Sequence, residues 1–522
     1  MRTLGFLHRP RSASALYGVV EAERGLLRAI VEHSLWDRVI IWADGEADIP
    51  ADPRTEIRPV SKIGDDVRAG VTALHQVGLG PHSVAALRGD IPIPVYTSVY
   101  AALSYNEQLP RHVIERLVRK TDLDTNIYPS SCSAEAVGRI HRTLSNLNVP
   151  ENGVVHTRVV PVGVDTDRFT PASQAEKRSI RRSLGLPENR ILATVLTRFS
   201  PSDKADLVPL IRSLLTIDAG DTELLFVFAG SDAYPGAKAY LAVLRSEIEQ
   251  LGLGARARIV SARARDEVVA LLRCSDIFVS PADSVQETFG IAPVEAMACG
   301  LPAVVSDWNG YRETVIDGVT GFLAPTTMFN TGSLGDDLAI ASDYRRQHLL
   351  LAQSVAVDTD AIVEGCQALA RDPGRLTRMG VAARARAVHN YGWPAVIASY
   401  ERVWSDRLVA TFQSDARGPV GLDHFATFGH YASTHASDRD RFQSTELGRR
   451  ARAGQYKLQI YSEMRDLVTA ALVGDVLDRT TTPAMLINLV EAIDGRDPSS
   501  VRFCIAWMVK HSLLRRCGPT GR

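Results

Sequence analysis

Short β-branched runs alternate with amphipathic stretches along most of this chain, and they do so in two separate series. That alternation is the pattern of βα units feeding parallel sheets with helices on both faces, so the predicted fold class is α/β. The first series opens with Thr3 to Leu7 and continues through Arg38-Val39-Ile40-Ile41-Trp42, Val84 to Leu87 and Ile93-Pro94-Val95-Tyr96, closing near Val159-Val160-Pro161. The second comprises Ile191 to Leu196, Leu224 to Ala229, Arg258-Ile259-Val260, Ile277-Phe278-Val279 and Ala303-Val304-Val305. Between them Leu241, Leu244, Ile248 and Leu251 fall on one helical face.

A chain of 522 residues is too long for one ordinary core. Gly163 to Pro187 is polar and turn-rich, with a short basic helix at Gln174 to Leu184, and reads as an interdomain linker. The expected organisation is an N-terminal α/β domain over 1–170, a second over 171–393 and a helical crossover over 394–412. Gln413 to Gly421 reads as a further linker into a mainly helical extension over 413–522, whose end resembles a helix-turn-helix or winged-helix unit. That extension is expected to serve packing or homo-oligomer formation.

The charge balance of 59 basic against 60 acidic residues leaves no global field that would draw the chain to nucleic acid or an anionic membrane. Any anion site must therefore be local. The six cysteines are scattered without metal-ligand or disulfide spacing, which fits a reducing compartment. With neither a signal-peptide pattern nor eighteen consecutive apolar residues, a cytoplasmic location without a transmembrane segment is expected.

The most informative stretch runs from Ile277 to Pro325: IFVSPADSVQETFGIAPVEAMACGLPAVVSDWNGYRETVIDGVTGFLAP. It reads as strand, loop and helix. Gly290 permits close backbone approach, Pro293 suits a first helical turn, and Gly300 with Pro302 marks the helix end. Backbone N–H groups near Phe289, Gly290 and Ile291, with the helix dipole, favour a phosphate there. Glu295, one turn in, could meet ribose hydroxyls, and Glu287 the other end of such a ligand.

Two glutamates eight apart arise easily by chance, so the spacing alone is weak. The whole stretch, however, resembles the retaining family 4 glycosyltransferases, whose mark is Glu, seven residues, Glu, then a "GLP...SD...G" segment. Thr197-Arg198-Phe199-Ser200-Pro201-Ser202-Asp203-Lys204 is similar to that family's basic pair, with five residues between Arg198 and Lys204 where four is common. Pro161-Val162-Gly163-Val164-Asp165-Thr166-Asp167-Arg168-Phe169 resembles its domain junction.

The resemblance implies the GT-B fold: two Rossmann-like domains facing across a cleft, the first for an acceptor and the second for a nucleotide diphosphate sugar. It implies Glu287 on the donor sugar, Glu295 on the ribose, Phe289, Gly290 and Ile291 at the phosphates, and Arg198 with Lys204 holding the diphosphate as charge grows on the leaving group. Gly18 is the candidate for the glycine turn after the first strand, with His8, Arg9 and Arg11 nearby. Relatives usually have a histidine where this chain reads Thr97-Ser98-Val99-Tyr100-Ala101; the resemblance implies a hexosyltransferase-like enzyme, and a smaller or differently polar wall there could admit a sugar other than an ordinary hexose.

No cofactor or metal is expected, the D-x-D triplets at Asp122-Asp124, Asp165-Asp167, Asp358-Asp360 and Asp438-Asp440 being read as chance. A basic helix with Arg111, Arg116, Arg119 and Lys120 leaves peripheral membrane contact open. The expected partners are a nucleotide sugar and a small-molecule acceptor, as in antibiotic assembly, with a polysaccharide or glycolipid acceptor as the alternative. A DNA-binding or scaffold role for the tail is the rival from another class, and nucleic acid is not expected.

Overall fold

The computed structural model describes residues 1–8, 18–43, 50–78, 88, 91–100, 123–148, 156–217, 223–232, 236–262, 264–328, 344–408, 436–456, 458, 460, 468–493, 495–496 and 498–517. The Val84 to Leu87 strand, the Arg111 to Lys120 helix, Arg9, Arg11 and the Gln413 to Gly421 linker lie outside the described residues.

Seven described strands form the first sheet: β1 (Thr3–Leu7), β2 (Arg38–Trp42), β3 (Thr55–Arg58), β4 (Ala73–Val77), β5 (Val95–Ser98), β6 (Thr125–Tyr128) and β7 (His156–Val159). They lie in the order β3-β2-β1-β4-β5-β6-β7, every pair parallel. The second sheet holds β8 (Ile191–Leu196), β9 (Leu224–Gly230), β10 (Ala257–Ser261), β11 (Ile277–Ser280), β12 (Ala303–Ser306) and β13 (Gly321–Ala324), in the order β10-β9-β8-β11-β12-β13. Its pairs are parallel too, for example Val279 opposite Val195. Both sheets are of Rossmann type. In each the strand order reverses beside the first strand, at β1/β4 and at β8/β11, and in open α/β sheets ligands bind beyond the carboxyl ends of the strands at that point.

The predicted strand at Ile93 to Tyr96 begins only at Val95 and runs on to Ser98. The segment read as a linker contains a docked helix, Gln174–Ser183. Arg181 of that helix is buried because its guanidinium donates to the carbonyls of Cys274, Glu188 and Arg190 and to Asp276, so its charge is fully met inside.

Near its end the chain returns to the first sheet through the helix Trp393–Leu408. Its Tyr400 hydroxyl meets Ser98 Oγ at 2.9 Å and the Tyr100 hydroxyl at 3.0 Å, and the Trp404 carbonyl accepts from the Tyr96 hydroxyl at 3.0 Å. Trp404 itself packs edge-on against Trp36. His75 lies in this cluster, wholly buried with Ser98 on its Nε2, and burial pushes its imidazole down to about 3.

The described residues beyond Gly421 group with Pro59–Gly64 in a second compact unit. A central strand, β16 (Arg441–Ser444), pairs antiparallel with β17 (Ala484–Met485) and β18 (Leu514–Cys517). Helices Glu446–Arg452, Ala470–Arg479, Leu486–Glu491 and Pro498–Lys510 cover a core that includes Phe442, Val476, Leu489, Val501 and Met508. The extension is thus mainly helical, with a small sheet that periodicity did not reveal.

Candidate active site

At the reversal point of the second sheet, β8 delivers Arg198 and Lys204, and β11 delivers the loop that carries Glu287. These two loops meet. Lys204 Nζ lies 2.9 Å from Glu287 Oε2, although the residues are 83 apart in sequence. Glu287 is buried while Lys204 is partly open to solvent, so the pair is anchored at the carboxylate end. Tyr311 stands against Glu287 and shares a hydrogen bond with Ser280 at 2.8 Å. Its burial, and then the Glu287 charge, push its hydroxyl well above the ordinary range.

Gly290 follows in the left-handed region at φ 96°, and a Cβ there would sit 2.4 Å from Tyr311 Cε1. Only glycine fits. The turn launches the helix Ile291–Ala298, whose first N–H groups have no acceptor within the helix and point toward the loop. Phe289, before the glycine, is buried edge-on against Tyr391 at 5.7 Å.

Glu295 lies within that helix, almost fully buried, and is paired with Arg265 of the helix Arg265–Cys274. Burial pushes its carboxyl above the ordinary carboxylate range, and the Arg265 guanidinium opposes that push. Arg265 in turn stacks over the Phe169 ring at 4.8 Å. Gly18 opens the helix Gly18–His33, and Glu21, one turn on, is near enough to act electrostatically on both Arg265 and Glu295. His8, at the end of β1, meets Glu23 of the same helix at 2.9 Å.

The first sheet's loops close over this region by direct bonds. Ser130 Oγ donates to the Thr288 carbonyl at 2.6 Å, and Thr288 Oγ1 donates to the Tyr100 carbonyl at 2.8 Å. The helix Ser131–Asn146 begins there, and its Ser131 and Cys132 N–H groups donate to the Glu313 carboxylate at 3.0 and 3.1 Å. A carboxylate at a helix N-terminus is favourably placed. Loop residues of the first sheet are therefore bonded to Thr288, the residue after Glu287.

Behind the Lys204–Glu287 pair lies Asp283, buried, with the Asp206 N–H on its Oδ2 at 3.2 Å. Burial pushes this carboxyl up to about 8, so it carries its proton in the folded protein at neutral pH. A raised carboxyl contributes stability below its unfolded value near 3.8 and loses it as pH climbs through the folded value. Asp283→Asn is accordingly expected to gain about 1–3 kcal/mol over wild type at pH 8, and nothing at pH 4. Thermal melts of both proteins from pH 4 to 9 check this, and parallel curves would contradict it.

Residues 176–341 match the family described as Glycosyl transferases group 1. The matched stretch lies in the second α/β domain and includes Arg198, Lys204, Glu287 and Glu295. It is 30% identical over 248 residues to a D-inositol 3-phosphate glycosyltransferase of Mycobacterium sp. (strain JLS), covering 46% of this chain and 48% of that protein. It is 31% identical over 241 residues to a GDP-mannose-dependent alpha-(1-6)-phosphatidylinositol monomannoside mannosyltransferase of Mycolicibacterium smegmatis, covering 45% and 52%. The chain thus spans about half the length of these curated relatives. Anabaena Alr3699/HepE, solved with UDP and glucose, superposes with a TM-score of 0.54 at 16% identity over 78% of this chain and 100% of that one. Sucrose-phosphate synthase from Thermosynechococcus elongatus gives a TM-score of 0.52 at 16% identity, over 79% of this chain and 100% of that one. At such identity the likeness concerns the fold, which is GT-B.

In this matched stretch Lys204 meets Glu287, Phe289, Gly290 and Ile291 follow directly along the chain, and Arg198 lies in the same loop after β8 as Lys204. Of the D-x-D residues that are described, Asp165 accepts from the Asp167 and Arg168 N–H groups, Asp358 caps the helix Thr359–Arg371, and Asp438 pairs with Arg502. Asp124 holds Arg88 in a buried ion pair. No group of three or more His, Cys, Asp or Glu placed for a metal occurs among the described residues, and none of their helices is long and apolar enough to cross a membrane. Arg265, Tyr311, Glu313 and His348 were not found from sequence. Arg265 had a usable signal, an arginine at the start of a helix preceding β11, but nothing local tied it to Glu295.

Proposed function

We propose that this protein is a retaining glycosyltransferase that moves a sugar from a nucleoside diphosphate sugar to a hydroxyl-bearing acceptor. The observation that carries the reading is the Lys204–Glu287 pair at the switch point of a Rossmann-type sheet, beside a glycine-launched helix. A diphosphate arriving at the helix start competes for Lys204, and with Arg198 and the N–H groups of Gly290 and Ile291 it finds its charge met. Glu287, released from Lys204, turns to the sugar hydroxyls and to the positive charge that develops at the anomeric carbon. Glu295 keeps one oxygen on Arg265 and offers the other to the ribose hydroxyls. Phe289 walls the site, and the start of the helix Gly18–His33 serves the nucleotide from the first domain.

In the transfer the anomeric carbon–phosphate oxygen bond breaks, the acceptor oxygen–carbon bond forms on the same face, and the acceptor proton passes to the departing phosphate. Fixed cations that meet the charge on the leaving group supply the rate. Because Arg198, Lys204 and a helix terminus already face the phosphates, turnover without an added divalent cation is part of the proposal.

The relatives' names support an inositol phosphate or a phosphatidylinositol glycolipid as the acceptor class, in preference to an antibiotic scaffold. A cavity of about 520 Å³ bordering the donor loop suits an anionic acceptor, since Phe289, Glu313, Arg386, His389, Tyr391 and Arg402 line it. Tyr100 lies in the stretch that lacks the relatives' histidine, and its hydroxyl is engaged by Tyr400, which supports a wall that differs from theirs. A DNA-binding role draws no support from the extension, where Arg452, Arg502 and Arg516 are each paired with an aspartate. The test is calorimetric titration of UDP, GDP and ADP; binding of none of them would remove the basis of the reading.

A further inference from the structure

After β13 the second domain departs from parallel order. Strand β14 (Thr326–Met328) pairs antiparallel with β15 (Val355–Val357), and between them the chain makes an excursion that includes the helix Tyr344–Gln353. Two side chains of this helix reach the site's loops. His348 Nδ1 lies 3.0 Å from Asp203 Oδ1, and its Nε2 lies 3.1 Å from Gln286 Nε2. Gln353 Nε2 donates to Asp206 Oδ2 at 3.0 Å.

Asp203 immediately precedes Lys204, and Gln286 immediately precedes Glu287. One imidazole therefore spans the residues adjoining each member of the ion pair. Its chemistry fits the two partners: with the proton on Nδ1 it donates to the Asp203 carboxylate, and the free Nε2 lone pair accepts from the Gln286 amide. His348 and Asp203 are both buried, and Asp203 is further held by Ser200 Oγ at 3.0 Å. A buried bridge with both ends satisfied is stiff.

We propose that His348 is a positioning residue for the Lys204–Glu287 pair, and that the helix Tyr344–Gln353 acts as a brace that sets the distance between the phosphate-binding and sugar-binding loops. The proposal rests on the transferase reading for its catalytic consequence, though not for its geometry. Misplacement of about 1 Å in such a site can cost about a hundredfold in rate. With the bridge removed, Lys204 and Glu287 keep their chemistry and lose their fixed spacing.

The test has two arms. In the first, ligand-free wild type, His348→Ala and His348→Gln are labelled with a lysine-directed acylating reagent, and the seven lysines are quantified by peptide mass spectrometry, with exposed Lys238 as internal reference. Lys204 labelling is expected to rise several-fold in His348→Ala and to return most of the way in His348→Gln, whose amide can also donate and accept at once. In the second arm, donor turnover by His348→Ala is expected to fall about tenfold to a hundredfold in kcat, with the donor KM changed far less. Unchanged Lys204 labelling in a folded His348→Ala protein overturns the brace. If His348→Ala does not fold, Gln353→Ala is read by the same labelling, and an unchanged Lys204 there overturns it equally. If wild type turns over no donor while the labelling responds as expected, the transferase reading fails and the brace stands.

Discussion

Glu287→Gln is expected to slow sugar transfer by about 10²–10³-fold without weakening affinity for the nucleoside diphosphate, which no longer competes with a carboxylate for Lys204. The amide keeps the shape of the side chain and loses the charge that the proposed mechanism sets against the anomeric carbon. Lys204 loses its partner in that variant, but it is partly exposed and water can solvate it. Lys204→Ala is different in kind. It strips a cation from the diphosphate and leaves a buried carboxylate alone, so both kcat and nucleotide affinity are expected to fall. Initial rates of nucleoside diphosphate release, with calorimetry on the same samples, separate the two. Equal losses of affinity in both variants would mean that Glu287 serves the nucleotide and not the sugar.

Trp404→Ala is expected to cost about 3–5 kcal/mol, the range for removing a large aromatic side chain from a packed core. Trp404 is completely buried among Trp36, Tyr400 and His75, with ring centroids 5.7, 5.4 and 6.0 Å away. No small side chain can collapse that space without moving the helix Trp393–Leu408. Because this helix holds the end of the second α/β domain against the first sheet, the loss should appear as a lower urea midpoint with an early phase that reports the two halves separating. A shift worth less than about 1 kcal/mol would mean that the crossover helix is held elsewhere. Tyr400→Phe, which deletes the hydroxyl shared by Ser98 and Tyr100, is the smaller companion change.

The strands that sequence reading found were those made of aliphatic runs, such as β2, β8 and β9. It missed the short apolar β13 and several strands that are polar yet buried or half-exposed. β4 contains His75 and Gln76, whose side chains are met by Ser98 and Thr97 of the neighbouring strand, and β6 buries Thr125 and Asn126. Hydrophobic periodicity cannot register a polar residue whose partner lies twenty residues away. β3 is an edge strand with an exposed Glu56–Arg38 pair, which looks like loop in sequence.

The site divides in the same way. Phe289, Gly290, Ile291 and Glu295 share one strand-loop-helix unit, so their order along the chain already contains their geometry. The contact of Lys204 with Glu287 is a product of strand order, since β8 and β11 are neighbours only in the folded sheet. Arg265 on Glu295 and His348 on Asp203 and Gln286 depend on helices from elsewhere in the domain, and no local pattern announces them. Glu295, read from sequence as a free ribose ligand, is half-committed to Arg265.

The central claim, a nucleoside diphosphate seated between Lys204, Arg198 and Glu295, is tested most directly by calorimetric titration of UDP, GDP and ADP into wild type, Arg198→Ala and Glu295→Ala. The account predicts that one of the three binds wild type and that each substitution weakens it by about tenfold or more, the loss of one charge-assisted hydrogen bond. Binding of none, or binding that both variants leave unchanged, would contradict it.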